Sequence, residues 1–285
     1  MNSRATTSCF HFHILMILSL LCLANSSRKP WHEKSCNMYR GSWVHDISYP
    51  LYDSSACPFI RKEFDCLMYG RPDHLYLQYR WQPNDCNLPR YNIIRATMFD
   101  GQDFLRKMKG KKVMYVGDSL SLNNFQSMVC LLHAAVPDSN ITRFSKNSVT
   151  TVIFQKGLTT WAKWVDSDVD TNKTTVVFQG FSPSHYNGRD WNEPGVTDCA
   201  SQREPMSGSA RPGGSPLALQ IVEEVLSTIK KPVHFLNITA LSQLRKDGHP
   251  GSYSGVRPMD CTHWCVAGLP DTWNELLYAT LLHQK

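Results

Sequence analysis

The stretch Val113-Met-Tyr-Val-Gly-Asp-Ser119-Leu-Ser-Leu122 joins a short apolar run to a segment with helical spacing. Val113–Val116 predicts a buried strand, Gly117 a tight turn, and Ser121–Leu132 a helix whose apolar residues recur every three or four positions. Such a turn lies at the carboxyl edge of a sheet and aims helix N-terminal amides at its residues. Ser119 is therefore a candidate nucleophile. In the alternative interpretation, Gly117 only forms the turn, and Asp118 or Ser119 only caps the helix.

Further strands and helices are predicted on both sides of this turn. The alternation of the two favours an α/β sandwich with a parallel sheet, which is the fold class that we predict. The further strands are Val149–Phe154, Thr175–Phe181 and Val233–Ile238, and the further helices are Phe99–Met108, a segment around Trp161–Val165, Pro216–Ile229 and Asp271–Leu282.

Residues 28–98 have a different character. They are rich in Cys, Pro, Trp and Tyr and show no sustained periodicity, which predicts a loop-rich segment tied by disulfides. The sequence thus divides into a targeting segment at 1–27, this Cys-rich N-terminal segment at 28–98, and the α/β domain at 99–285.

Composition narrows the class of protein. A chain of 285 residues with 42% hydrophobic residues can bury a full core, which excludes a disordered chain. The net charge of +6 favours acidic partners such as polysaccharides that contain uronic acids. The basic residues form no continuous run, so nucleic acid is not a predicted partner.

The apolar stretch Phe10–Ala24 predicts entry into the secretory pathway. Its length leaves open both a cleaved signal peptide and a signal anchor that spans the membrane. Eight of the ten cysteines follow it, which predicts disulfides formed in an oxidising compartment. Three glycosylation sequons, Asn140-Ile-Thr142, Asn172-Lys-Thr174 and Asn237-Ile-Thr239, fit the same compartment.

Asp260-Cys-Thr-His263 supplies what a nucleophilic serine needs. His263 is the candidate general base and Asp260 the carboxylate that orients its ring. Two alternatives remain open. The string Cys261-Thr-His263-Trp-Cys265 also has zinc-ligand residue types, and Asp260 could simply cap a disulfide-rich loop.

The Gly-Asp-Ser turn followed by a late Asp-x-x-His resembles the SGNH or GDSL esterases. Longer strings resemble the plant trichome birefringence-like family of polysaccharide O-acetyltransferases and span residues 36–282. They are Gly41-Ser-Trp-Val-His-Asp46, Pro50-Leu-Tyr52, Cys57-Pro-Phe, Arg71-Pro-Asp73, Arg80-Trp81, Cys86-Asn-Leu-Pro-Arg90, Gly180-Phe-Ser-Pro-Ser-His185 and Asp260-Cys-Thr-His-Trp-Cys265.

This resemblance implies acetyl transfer to hydroxyls of a cell-wall polysaccharide such as xylan, pectin or mannan. Ser119 would become acetylated, with His263 as base, Asp260 as its orienter, and Gly117 and Asp118 shaping the oxyanion turn. An acetyl donor would be the co-substrate, with no metal or bound cofactor. The luminal domain would follow a single-pass type II anchor in the Golgi membrane, or would be secreted to the wall.

The same resemblance implies four disulfides. Two of them would tie the loop with Asp260 and His263 to the rest of the fold. The implied pairs are Cys36 with Cys86, Cys57 with Cys130, Cys66 with Cys265, and Cys199 with Cys261.

The chain departs from the family pattern at one place. Val152-Ile-Phe-Gln155 runs straight into Lys156-Gly-Leu-Thr-Thr-Trp161, where family members carry a long segment with an Asn-x-His-Trp block that resembles an oxyanion-hole element. The chain is then a splice form or incomplete gene product, an active enzyme with a smaller site, or a catalytically silent binder of wall polysaccharide. A GDSL-type acetylesterase, with water as acceptor, is a further alternative.

Several other residues are candidates for glycan contact. Trp43, Trp81 and Trp264 could stack on sugars, Arg80 or Arg189 could contact uronic acids, and His185 could line the cleft. The alternative is that the aromatic residues and His185 are parts of the core.

Overall fold

The computed structural model describes residues 37–86, 88, 99–137, 154–208 and 217–282, all within one unit, Asn37–Lys285. Its first regular element is an antiparallel hairpin of β1 (Gly41–His45) and β2 (Tyr79–Pro83), in which Trp43 lies opposite Trp81. The two indole rings meet edge to face with centroids 5.5 Å apart. The segment predicted to be loop-rich therefore also contains a regular strand pair.

Four of the described helices begin and end within a few residues of the predicted bounds, whereas the helix Phe154–Asp168 begins seven residues before Trp161 and the short helix Thr239–Gln243 was not predicted. Asp100 and Asp118 cap α1 and α2, because each carboxylate accepts a hydrogen bond from a backbone N–H of the first turn. The helices are α1 (Gly101–Lys107), α2 (Ser119–Ala135), α3 (Phe154–Asp168), α4 (Leu217–Ser227), the short α5 (Thr239–Gln243) and α6 (Leu269–Leu282). Short 3-10 turns lie at Ser54–Ala56, Leu75–Leu77 and Gly188–Trp191.

Two of the predicted strands form a parallel pair, β3 (Val177–Gln179) and β4 (His234–Leu236). Helix α4 lies between them in sequence, as a parallel crossover requires, and α3 precedes β3. Leu158 and Ala162 of α3 pack against Val222 and Val225 of α4 in a small apolar cluster. The predicted α/β class is confirmed as a mixed fold with a small parallel sheet, and its arrangement as a sandwich stays a prediction.

The predicted strand at Val113–Val116 is wrong. No strand pairs with it among the described residues, and the Met114 and Val116 side chains are 80% and 77% exposed. An apolar run becomes a buried strand only where a neighbour satisfies its backbone groups. Of the predicted strand Val149–Phe154, residues 149–153 lie outside the described residues and Phe154 begins α3.

The larger core lies around α6, whose first eleven residues are all buried. Trp273 and Leu276 of α6 join Trp264 and the hairpin residues Trp43 and Trp81 in one cluster. Parts of the segments 28–98 and 99–285 thus share a core, and the boundary between them stays a prediction. Within the described ranges, no helix is long and apolar enough to cross a membrane, and the predicted targeting segment at 1–27 lies outside them.

Candidate active site

Ser119 is the first residue of α2, and its side chain is exposed. Asp118 occupies the cap position, where its carboxylate accepts the backbone N–H of Leu120 at 2.9 Å. The backbone N–H of Ser119 makes no hydrogen bond within the described residues. A Cβ atom at Gly117 would lie 2.1 Å from the Ser121 hydroxyl, so the turn favours glycine. A helix N-terminal N–H thus remains available beside the Ser119 hydroxyl.

His263 joins Ser119 to Asp260. Its Nε2 lies 2.8 Å from Ser119 Oγ, and its Nδ1 lies 2.8 Å from Asp260 Oδ2. Asp260 and His263 are buried, and Ser119 is an exposed residue. This is the order of contacts by which an imidazole takes a proton from a hydroxyl while a carboxylate holds the opposite nitrogen.

Local hydrogen bonds hold Asp260 in place. Its Oδ1 accepts the backbone N–H groups of Thr262 and His263 at 3.1 and 3.0 Å. Burial by itself raises the pKa of Asp260, but the hydrogen bonds from His263 and Thr262 outweigh burial and leave this pKa well below its ordinary value. The carboxylate is therefore ionised throughout the physiological pH range.

Disulfides tie this loop to the fold at two points. Cys199–Cys261 attaches the residue after Asp260, and Cys66–Cys265 attaches the residue after Trp264. A third disulfide joins Cys57 to Cys130 on α2. These are pairs that the family resemblance implies. Cys86 is also disulfide-bonded, and its implied partner Cys36 lies outside the described residues. With Cys261 and Cys265 in disulfides, their sulfurs are not the thiolates that the alternative zinc site requires.

Asn123 connects α2, the helix that begins at Ser119, to the segment Asp260–Cys265, which carries His263 and is called the base loop below. Asn123 lies one turn after Ser119 and is completely buried. Its side chain donates to the Trp264 carbonyl at 3.0 Å and accepts the Trp264 backbone N–H at 2.8 Å. Sequence reasoning missed this residue. Its signal is an amide side chain four positions after the serine, one helical turn along the same face of the helix.

His185 lies in the core, so the prediction that it lines the cleft is wrong. It is 3% exposed, and its Nδ1 lies 2.6 Å from Nε2 of His249. His249 Nδ1 in turn contacts the backbone carbonyl of His263 at 2.6 Å. Burial, followed by the neighbouring His185, lowers the pKa of His249 well below its ordinary value. The two buried rings therefore support the base loop from beneath.

The predicted glycan contacts of Trp81 and Trp264 are also wrong, because both indoles are buried. Trp81 donates its Nε1–H to the Met38 carbonyl, and Trp264 donates to the Ser182 hydroxyl. Trp43, also buried, lies under the guanidinium of Arg245 at 4.4 Å. The guanidinium of Arg80 is engaged by the Asp46 carboxylate at 2.7 Å. Burial could not be inferred from these residues because the same side chains suit a core and a sugar surface.

Arg257 contacts the triad although the sequence did not single it out. Its Nη1 lies 2.9 Å from Asp260 Oδ2 and 2.7 Å from His263 Nδ1, and about half of its side chain is exposed. The available signal was its position three residues before Asp260, a spacing at which opposite charges meet.

Comparison with known proteins gives matches over most of the chain. The model of the PC-Esterase family, a GDSL/SGNH-like acyl-esterase family found in Pmr5 and Cas1p, matches residues 97–156 and 142–280. The model of the PMR5 N-terminal domain matches residues 34–87. The chain is 42% identical to trichome birefringence-like 38 of Arabidopsis thaliana, over 89% of this chain and 86% of the relative. It is 38% identical to trichome birefringence-like 43 of the same plant, over 99% and 100%.

The alignments also locate a difference in length. The alignment with trichome birefringence-like 38 extends over 335 positions. Since 89% of 285 residues is about 254, about 80 of those positions have no counterpart in this chain. The two matches to the family model meet at residues 142–156, which is where the sequence departs from the family.

Proposed function

The chain belongs to the GDSL/SGNH-like PC-Esterase family, among its trichome birefringence-like members, and we propose that it is an O-acetyltransferase acting on hydroxyls of cell-wall polysaccharides. The observation that carries the proposal is the His263 imidazole between Ser119 Oγ and Asp260 Oδ2, at 2.8 Å from each. Membership of an acyl-esterase family supports acyl-ester chemistry in general. Transfer of the acetyl group to a glycan hydroxyl is our more specific proposal.

In the first half-reaction, Ser119 Oγ attacks the carbonyl carbon of an acetyl donor. His263 Nε2 accepts the hydroxyl proton as the new C–O bond forms, and Asp260 stabilises the imidazolium. The carbonyl oxygen takes up negative charge and faces the free backbone N–H of Ser119 at the positive end of α2. Collapse of the intermediate expels the donor's leaving group, which takes the proton from His263, and Ser119 remains as an acetyl ester.

In the second half-reaction, a glycan hydroxyl attacks the acetyl-serine. His263 Nε2 now takes the proton of the glycan hydroxyl and returns it to Ser119 Oγ as the serine ester bond breaks. The exposure of Ser119 supports this step, because a polymer reaches an exposed hydroxyl more easily than a buried one. Xylan, pectin and mannan are the acceptor classes that we propose.

We place this reaction in the secretory pathway. Three disulfides among the described residues support an oxidising compartment. The apolar stretch Phe10–Ala24 would direct the chain there, either as a type II anchor in the Golgi membrane or as a signal peptide of a secreted protein. The exposed turn at Asn172 offers a glycosylation site that would report passage through the lumen.

The test is mass spectrometry of the purified protein after incubation with acetyl-CoA or p-nitrophenyl acetate. We expect acetyl on Ser119 in the wild type, and none at that position in Ser119→Ala or His263→Ala. Ser121→Ala is the matched control, because Ser121 lies in the same helical turn and its hydroxyl faces the Val116 carbonyl rather than His263. Folded, disulfide-bonded wild type that stays unmodified would reject the proposal and favour a silent binder.

A second candidate is an acyl-ester hydrolase, and the exposure of Ser119 also favours it, since water reaches the acetyl-serine freely. The two candidates share the first half-reaction and differ in the acceptor. Quantifying free acetate and acetylated oligosaccharide in one reaction separates them. Acetate in excess at saturating oligosaccharide identifies a hydrolase, and acetylated oligosaccharide in excess identifies a transferase.

A further inference from the structure

Arg257, Asp260 and His263 form a triangle that ordinary hydrogen bonds cannot fully satisfy. Arg257 Nη1 lies 2.9 Å from Asp260 Oδ2 and 2.7 Å from His263 Nδ1, and Oδ2 lies 2.8 Å from Nδ1. A guanidinium only donates and a carboxylate only accepts, so the proton on His263 decides which two of the three contacts are hydrogen bonds.

The first proton arrangement is inactive. If Arg257 donates to Nδ1, that nitrogen has no proton and His263 carries its hydrogen on Nε2. The ring then donates to the oxygen of Ser119 and cannot accept the proton of its hydroxyl. In this arrangement Arg257 also donates to Asp260, and the third side of the triangle has no hydrogen bond.

The second arrangement is the catalytic one. If Nδ1 carries the proton and donates to Asp260, Nε2 is free to accept the proton of Ser119. Arg257 then bonds Asp260 alone, and its N–H groups face the N–H of the imidazole at 2.7 Å. Removing the guanidinium from this position relieves that contact, so movement of Arg257 favours the catalytic tautomer.

The surroundings of Arg257 allow this movement. Its side chain is 49% exposed, while its backbone N–H is held by the Ser254 hydroxyl at 3.3 Å. In contrast, Asp260 and His263 are buried and tied by Cys199–Cys261 and Cys66–Cys265. Arg257 is therefore the member of the triangle whose side chain has room to move. Its positive charge attracts an anion in the site.

We propose that Arg257 is a specificity-determining gate, which leaves His263 when it binds an anionic group of a substrate. The group is a carboxylate of an acidic glycan acceptor or a phosphate of the acetyl donor, both of which a guanidinium binds in a bidentate manner. Charge on the substrate thereby sets the tautomer of His263. This inference rests on the proposed function for its catalytic consequence, but the tautomer can be measured without turnover.

The first test is imidazole ¹⁵N NMR of the full chain with ¹⁵N-labelled histidine, using His263→Gln to assign the signal. We expect the Nε2–H tautomer in the resting wild type, and a shift towards Nδ1–H on titration with a galacturonic acid oligosaccharide or with inorganic phosphate. Arg257→Gln should show Nδ1–H without ligand. A resting wild type that already has Nδ1–H, or a tautomer that neither anion changes, overturns the proposal even if Ser119 is acetylated as proposed.

The second test is kinetic and separates the two anion sources. Wild type and Arg257→Gln are compared with a neutral donor, p-nitrophenyl acetate, and with acetyl-CoA, each with xylo-oligosaccharide or galacturonic acid oligosaccharide as acceptor. A preference for the acidic acceptor that Arg257→Gln abolishes assigns the carboxylate, and a preference for acetyl-CoA that it abolishes assigns the phosphate. With both neutral partners, Arg257→Gln should be about fivefold faster, the factor for a unit charge about 4 Å from the imidazolium in a water-like dielectric.

Arg106→Gln is the matched control, because Arg106 also pairs with an aspartate three residues away but lies on α1, which packs near the other end of α2. It should behave as wild type in both tests. A charge preference that Arg257→Gln retains, or that the wild type never shows, contradicts the proposal. If Arg257→Gln does not fold, the anion titration of the wild type still decides the question.

Discussion

Two regions of the chain meet at the candidate active site but differ in burial and in cross-links. One is the base loop, which carries Asp260 and His263, and the other is the segment that leads to Ser119. The loop is buried, crossed by two disulfides and bonded to the Asn123 amide. The segment Lys111–Val116 has no regular structure, and its Val113, Met114 and Val116 side chains are exposed. Its one attachment to the core among the described residues is Tyr115, whose hydroxyl donates to the Asn274 side chain at 3.1 Å. The difference indicates that disulfides next to Asp260 and His263 fix the base, whereas the nucleophile takes its position from α2, whose Asn123 is bonded to Trp264.

The largest expected effect tests whether Asp260, in the buried base loop, orients the His263 ring. Asp260→Asn should lower the rate of Ser119 acetylation about 10⁴-fold, because an amide can donate to Nδ1 and so leave Nε2 without a free lone pair. The rate of p-nitrophenyl acetate turnover measures it. Asp198→Asn, which alters a carboxylate that only caps the backbone N–H of Ala200, should stay near the wild-type rate. A loss below tenfold in Asp260→Asn would show that the orienting contact is not used.

The next effect compares two disulfides that close loops of similar length. Replacing Cys199 and Cys261, or Cys57 and Cys130, by alanine should each cost about 4 kcal/mol of unfolding free energy, because the loops span 62 and 73 residues. Only the first pair adjoins Asp260, so only its loss should lower the acetylation rate of protein that remains folded. Denaturant unfolding and the acetylation assay give the two quantities. Equal loss of activity in both variants would contradict local fixation of the base.

A smaller effect is the pH dependence of the unfolding free energy, which we expect from Glu275 on α6, the helix that follows the base loop. Burial raises the pKa of Glu275 to about 8 from 4.5, against the weaker opposing effect of its hydrogen bond from Tyr49. Because the folded state holds this proton more tightly than the unfolded chain, its stabilising effect is complete below about pH 4.5 and is lost as pH rises towards 8. The slope is about 1.4 kcal/mol per pH unit.

Glu275→Gln should remove this part of the pH dependence, since a neutral amide has no proton to lose. Unfolding free energies between pH 4.5 and 8 check it, with Glu224→Gln on the exposed side of α4 as control. An unchanged slope in Glu275→Gln would show that the carboxyl is ionised in the folded protein.

The smallest expected effect on unfolding free energy concerns the exposed segment that leads to Ser119. Met114→Ser should change the unfolding free energy by no more than about 0.5 kcal/mol, because the side chain is 80% exposed. Leu269→Ala, at a completely buried position in α6, should cost about 2–5 kcal/mol. Thermal or denaturant unfolding gives both values. A cost above 1 kcal/mol for Met114→Ser would mean that the Met114 side chain is packed in solution, which contradicts the contrast between this segment and the loop of Asp260 and His263.

Sequence predicted the parts of this site that depend on local pattern. Helical spacing after Ser119 predicted α2, and the three-residue separation of Asp260 and His263 allowed both side chains to come from one loop. The alternation of strands and helices predicted a parallel sheet, and β3 and β4 form a parallel pair. Each of these inferences needs only neighbours along the chain or the general chirality of crossovers.

The remainder depended on contacts between distant segments. Val113–Val116 has the composition of a buried strand, but a strand requires a partner, and about 80 positions of the relative have no counterpart here. Trp81, Trp264 and His185 have polar tips that suit either a sugar surface or a buried hydrogen bond, and the structure gives them buried partners. Arg257 and Asn123 became visible only when the fold placed them against His263 and Trp264.

The position of Trp264 gives the protein an optical reporter. Its indole is completely buried, stacked on His249 at a centroid distance of 3.9 Å, and lies directly after His263 in sequence. Opening of the base loop would bring this indole into water and shift its emission to longer wavelengths. The difference in fluorescence between wild type and Trp264→Phe therefore isolates the signal of a single residue next to the base. Stopped-flow mixing with denaturant or reductant could then time the loss of the catalytic loop separately from the unfolding of the rest of the chain.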